Sequence, residues 1–141
     1  MKRKNTDQLL KELMDSNDLS RVLSDNSACF RESDLPHGLQ ALFDQQDMSK
    51  SALAKASGIS EVYLHQVFSG RRTPSRDRLL CLCIGLGAST EETQSLLQQA
   101  HHAPLYARDK RDAVLLFGLS HSLTLPEIND PLFTAGAETL L

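Results

Sequence analysis

Three cysteines are few and odd in number, and two of them form a Cys81-Leu82-Cys83 pair with neither zinc-finger nor redox-motif spacing. The sequence therefore offers no disulfide framework, and Cys29, Cys81 and Cys83 read as small core residues. No apolar run approaches the ~18 residues of a membrane span. The MKRKNTDQ start lacks the apolar stretch of a signal peptide, so a cytoplasmic chain without membrane attachment is expected. There is no G-x-S-x-G, no glycine-rich phosphate loop and no H-E-x-x-H, and no strand alternation to build an α/β pocket. An enzyme is not expected, and no catalytic residue or cofactor is assigned. The adjacent His101 and His102 do not converge on one ion and have no third ligand at suitable spacing, so no metal is assigned. Internal repeats and low-complexity segments are also absent. The 141 residues suffice for one domain with modest extensions.

Positive charge is scarce on average but not locally. The net charge is −3. Residues 1–47 hold six Lys/Arg against nine Asp/Glu, and residues 90–141 hold three against seven. Residues 48–89 reverse the sign, with six (Lys50, Lys55, Arg71, Arg72, Arg76 and Arg78) against two (Glu61 and Asp77). A basic patch on an otherwise acidic chain can track phosphates locally while the remainder suppresses non-specific attraction.

The basic segment coincides with the most informative stretch, Ser49 to Ser75, SKSALAKASGISEVYLHQVFSGRRTPS. It reads as a helix of about eight residues capped by Ser49, a tight turn at Gly58, and a second helix capped by Ser60 and closed at Gly70. Ala54, four residues before Gly58, is small enough to let the two helices cross closely, and Gly58 can take the left-handed conformation that ends the first. Leu64, Val67 and Phe68 form the buried stripe of the second helix. Glu61, Val62, Tyr63 and Gln66 are then left facing outwards on its first two turns. Two short helices joined by a turn containing glycine are a helix-turn-helix unit.

These residues carry a resemblance. The succession of a helix, A-x-x-x-G-I-S, a second helix and S-G-R-R-x-P-S resembles the phage-repressor-like (Cro- and lambda-repressor-like, or XRE) helix-turn-helix family of bacteria and phages. Ala54, Gly58, Ile59, Ser60, Leu64, Gly70, Pro74 and Ser75 stand where that family places such residues, and the resemblance spans roughly 35–100. It implies an all-α fold, a compact five-helix lambda-repressor-like domain that binds double-stranded DNA as a transcriptional regulator. Glu61, Val62 and Gln66 would take base-reading positions, with Tyr63 near the phosphates and Lys50, Arg71, Arg72 and Arg76 holding them. Glu61 is acidic where the family often carries Gln, Ser or Arg; a carboxylate can accept from cytosine N4 but is repelled by phosphate. The alternative reading is a non-enzymatic protein-interaction module built on the same fold, since fold does not fix function.

Helical extensions flank this domain, over 1–34 and 101–141. In the first, Leu9, Leu10, Leu13 and Met14 repeat at helical spacing, Leu19, Val22 and Leu23 suggest a second short helix, and Cys29 with Phe30 a further turn. Asn5 or Thr6 and Asn17 or Asp18 are candidate caps, and Lys2-Arg3-Lys4 reads as a solvated terminus, with a basic arm reaching for DNA as the alternative. Such short stripes must dock on the next domain or on a partner. Within 35–100, Leu35, Leu39, Leu42 and Phe43 mark the first helix. Ser75 opens a nearly all-apolar one from Leu79 to Leu86, and Ser89 with Glu92 makes a capping box for the fifth, with Leu96, Leu97 and Ala100. Beyond it, Asp109 caps a helix holding Ala113 to Leu119, whose start at Arg108, Lys110 and Arg111 reads as solvated, with a second phosphate contact as the alternative. Thr124 with Glu127 caps another, which Pro131 should break or kink. This last pair of helices has the length of a dimerisation element suited to a palindromic site; packing against the N-terminal prelude is the equal alternative.

Overall fold

The structure, a computed structural model, describes residues 5–27 and 35–140. Among these the chain forms nine α-helices and no strand. They are α1 (Thr6–Asp15), α2 (Leu19–Asp25), α3 (Leu35–Asp44), α4 (Lys50–Ser57), α5 (Glu61–Phe68), α6 (Arg76–Leu86), α7 (Thr90–Gln99), α8 (Lys110–Ser120) and α9 (Leu125–Thr134). The chain divides into two compact units, Met1–Glu32 and Ser33–Leu141.

The first unit is a helical hairpin fixed by polar contacts. Asn5 and Gln8 form a reciprocal capping box on α1, and Asp18 caps α2 by accepting from the Arg21 N–H at 3.2 Å. The buried Asn26 amide donates to Glu12 Oε1 at 3.0 Å and to the Val22 carbonyl at 2.9 Å, tying the two helices. Val22 is buried, whereas Leu10, Leu13, Met14, Leu19 and Leu23 are exposed. The expected apolar spacing is therefore present, and within the hairpin itself it buries only Val22 among the described residues. Lys2-Arg3-Lys4 and the turn expected at Cys29 and Phe30 lie outside the described residues.

The second unit is organised around α6. Leu79, Leu80, Cys81, Leu82, Cys83, Ile84 and Leu86 are all buried, so this helix is apolar on every side, as its sequence requires. It contacts α4, α7 and α9, while α3 bridges α5 and α7. The closest approach is to α4: a Cβ on Gly85 would lie 2.2 Å from Ser57 Oγ and 3.2 Å from Leu53 Cδ1, so no larger residue fits without parting the two helices. Burial pushes the Cys81 thiol up to about 11 and the Cys83 thiol up to about 12. Both are therefore expected to resist a thiol-reactive disulfide reagent at pH 8 in the native protein and to react fully in denaturant. Rapid native labelling of Cys83, read by mass spectrometry, would contradict the packing of α6.

Residues 101–141 are part of this unit rather than an appendage. Leu115, Leu119, Leu125, Ile128, Leu132 and Leu140 belong to the same core cluster as the α6 leucines. The fastening is ionic as well as apolar, and it uses an Arg-Asp dipeptide twice. Arg76 and Asp77 open α6; Arg111 and Asp112 lie in the first turn of α8. Arg76 forks onto Asp112 at 3.3 and 3.0 Å, and Arg111 forks onto Asp77 at 2.9 and 3.0 Å. Arg111 also donates to the Glu138 carbonyl, and its hydrogen bonds to Asp77 push the guanidinium pKa above its ordinary value. The reading of Arg111 as a solvated residue is thus corrected, while Arg108 and Lys110 are exposed. The C-terminal segment is pinned by Asn129, whose side chain exchanges two hydrogen bonds of 2.8 Å with the backbone of the fully buried Leu140.

Pro131 does not break α9, which runs on to Thr134. Pro131 and Glu127, the residue whose carbonyl loses its donor, both face solvent, while Ile128 and Leu132 face the core. Water can take the freed carbonyl, so the cost of the missing N–H is borne on the wet side.

Candidate functional site

The helix pair at Ser49 to Gly70 is built as its caps prescribe. Ser49 Oγ accepts from the Ala52 N–H at 3.1 Å and Ser60 Oγ from the Tyr63 N–H at 3.1 Å. Gly58 has φ 66°, and the Ile59 N–H reaches back to the Ala54 carbonyl at 3.1 Å, which ends α4 and turns the chain into α5. At the far end of α5, Gly70 has φ 81°, and the N–H groups of Arg71 and Arg72 both donate to the Gln66 carbonyl, at 3.0 and 3.2 Å. The two arginines are thereby fixed at the C-terminal edge of α5.

The inward face of α5 is Tyr63, Leu64, Val67 and Phe68, all buried, and the outward face is Val62, His65, Gln66 and Ser69. Val62 is 69% exposed, an unusual position for an aliphatic side chain with nothing to pack on. The outward row lines a concave surface of about 570 Å³ together with Gln40, Lys50, Phe68 and Arg71. Lys50 is steadied over it, with Nζ 4.7 Å from the Phe68 ring centroid and 5.8 Å from that of Phe43. Glu61 is exposed in the first turn of α5, where the partial positive charge of the helix N-terminus favours a carboxylate.

Two of the eight expected site residues have other roles. Tyr63 is not an outward residue: at 9% exposure its ring is a platform, with the Arg78 guanidinium 4.5 Å and the Arg72 guanidinium 5.4 Å from its centroid. The reason is periodicity, since Tyr63 stands four residues before Val67 and so continues the buried stripe. Arg76 does not line up beside α5 as a free cation. Its Nε donates to the Ala103 carbonyl at 2.9 Å, its Nη2 to the Pro104 carbonyl at 3.2 Å, and both terminal nitrogens to Asp112.

Two residues escaped the sequence reading. His65 follows Val62 by three positions and precedes Ser69 by four, so strict helical spacing would have placed it on the outward face. Arg78 has no such signal, because only the fold brings the first turn of α6 over the Tyr63 ring. His102, considered above as a metal ligand, has its Nε2 2.8 Å from the Pro74 carbonyl and secures the loop behind Arg71 and Arg72.

Lys50, Arg71, Arg72 and Arg78 thus present cations around an outward row of exposed Val62 and His65 and half-buried Gln66. Neither curated proteins nor solved structures gave a match to the chain. Residues 31–96 match the family described as the helix-turn-helix domain, a span that covers α3 to α6 and the first two turns of α7. With the Gly58 turn, the capped α5 and its exposed outer face in place, this segment of the chain is a helix-turn-helix domain.

Proposed function

We propose that the chain is a non-enzymatic, sequence-specific regulator of transcription that binds double-stranded DNA through a lambda-repressor-like domain, inside the cell. α5 enters the major groove. Gln66 reads a base edge, most naturally adenine through its amide, and Val62 meets a thymine methyl group. Glu61, at the N-terminal end of α5, can accept from a cytosine amino group. His65, between Val62 and Gln66, extends the base-facing row. Lys50, Arg71 and Arg72 hold phosphates on either side, and Arg78 stiffens the Arg72 edge through the Tyr63 ring. The observation that carries this reading is the outward row of exposed Val62 and His65 with half-buried Gln66, set within a rim of cations.

The test is selection from a random duplex library with purified protein at about 150 mM salt, where bare electrostatic binding is weakened. An enriched motif is expected. A palindromic one would add that two copies bind together and would give the half-site spacing. Absence of any enriched motif would overturn sequence-specific binding. The second reading, a protein-interaction module, is favoured by the exposed leucines on the acidic α1–α2 hairpin. It predicts one stoichiometric protein partner recovered without DNA.

A further inference from the structure

A second concave site lies away from the α5 surface. α4, the C-terminal end of α6 and the α8–α9 loop enclose a cleft of about 640 Å³. Its lining is mainly apolar, with Ala56 from α4, Ile84 and Leu86 from α6, Leu123 from the loop and Leu125 from the start of α9, and Gln46, Ser122 and Thr124 at its polar places. Ile84, Leu86 and Leu125 are buried in the core, so the floor is a rigid part of the fold. The loop is held in a fixed shape over the cleft. Ser122 takes φ 54°, unusual for a residue other than glycine. The Leu123 N–H bonds the Gly118 carbonyl at 2.9 Å.

One lining residue is charged, Lys55, which is exposed and has no ion-pair partner among the described residues. The nearby acid in the first turn of α9, Glu127, is engaged elsewhere: its carboxylate accepts from the Thr124 N–H at 3.0 Å and hydroxyl at 2.8 Å. Those bonds hold its carboxyl below the usual range. An open, mainly apolar cleft with a single cation at its edge has the make-up of a small-molecule site, and its volume falls in the ordinary range for one.

We infer that this cleft binds a small amphipathic monocarboxylate, its apolar body against Ala56, Ile84, Leu86 and Leu123 and its carboxylate on Lys55 Nζ. At about 30 Å³ for each water-sized group the cleft holds on the order of twenty non-hydrogen atoms, the size of a substituted aryl or medium-chain acid. The helix that forms one wall, α4, is the one that leads into α5.

The experiment titrates 4-biphenylacetate, and separately its uncharged amide of the same shape, into the whole DNA-free chain and follows backbone amide NMR signals. Its outcome therefore does not depend on whether the chain binds DNA. Saturable shifts at Ala56, Ile84 and Leu123 are expected, with the acid binding about fivefold or more tightly than the amide. Lys55→Gln should erase that difference while leaving amide binding intact. Ala56→Phe, on an exposed position and checked for folding by circular dichroism, should abolish both. Equal binding of acid and amide to the native chain overturns the assignment of Lys55. Shifts elsewhere, or none up to about 5 mM, overturn the site, since ligands of this size commonly bind formed pockets below that level.

Discussion

Replacing Arg71 and Arg72 with alanine is expected to weaken binding to every DNA sequence alike. The slope of log K against log salt should fall by about 1.8 for the pair, since each neutralised phosphate contributes about 0.9. The reasoning rests on where the fold puts them. Both follow Gly70 and both give their backbone N–H to the Gln66 carbonyl, so their main chain is tied to the end of α5 while their side chains are exposed. Gln66→Ala should behave in the opposite way, costing about 1–3 kcal/mol at one base position with little change in salt slope. Measuring both variants over a salt series against a selected site and its single-base variants separates the two roles. An unchanged base preference in Gln66→Ala would remove it from the reading face, and an unchanged slope in the double variant would remove the clamp.

Asp112→Ala is expected to destabilise the second unit by about 3–5 kcal/mol, the range for breaking a buried ion pair by deleting one partner. Asp112 is 6% exposed and accepts from Arg76 at 3.3 and 3.0 Å and from the Tyr106 N–H at 3.0 Å. Without it a largely buried guanidinium and a backbone donor are stranded. The contrast is Arg21 with Asp25, 3.5 Å apart and mostly exposed, which is worth about 0–1 kcal/mol. Against a typical total stability of about 5–15 kcal/mol, loss of Asp112 should lower the denaturation midpoint steeply. Arg76→Ala should cost a similar amount, and the double variant less than the sum, because each single change leaves the other charge unpaired. Below its unfolding temperature Arg76→Ala should keep the native salt slope for DNA. A slope reduced by about 0.9 would return Arg76 to the phosphates.

The sequence by itself determined the local units. Ser49, Ser60, Ser75 and Ser89 each cap the helix that follows, because a side-chain oxygen three residues before a free N–H is a purely local device. Gly58 turned the chain at the expected place for the same kind of reason, and the all-apolar run at Leu79 to Leu86 could only become a central helix. Val62 and Gln66 were legible as outward residues, and Lys50, Arg71 and Arg72 as a basic rim. Apart from Pro131, which α9 tolerates on its solvent side, and Tyr63, what failed were statements that depend on which partner stands across a gap. Tyr63 could have been saved by stricter periodicity, but its service as a platform for Arg78 could not, since Arg78 is brought there by the packing of α6.

Only the tertiary structure decided that residues 101–141 share one core with the helix-turn-helix. It did so through side chains more than thirty positions apart, Arg76 with Asp112 and Asp77 with Arg111. A charge on a helix surface looks the same in sequence whether it faces water or an opposite charge. The fold alone distinguishes the two, and it turned Arg76 from a candidate phosphate ligand into the fastening of the C-terminal helices.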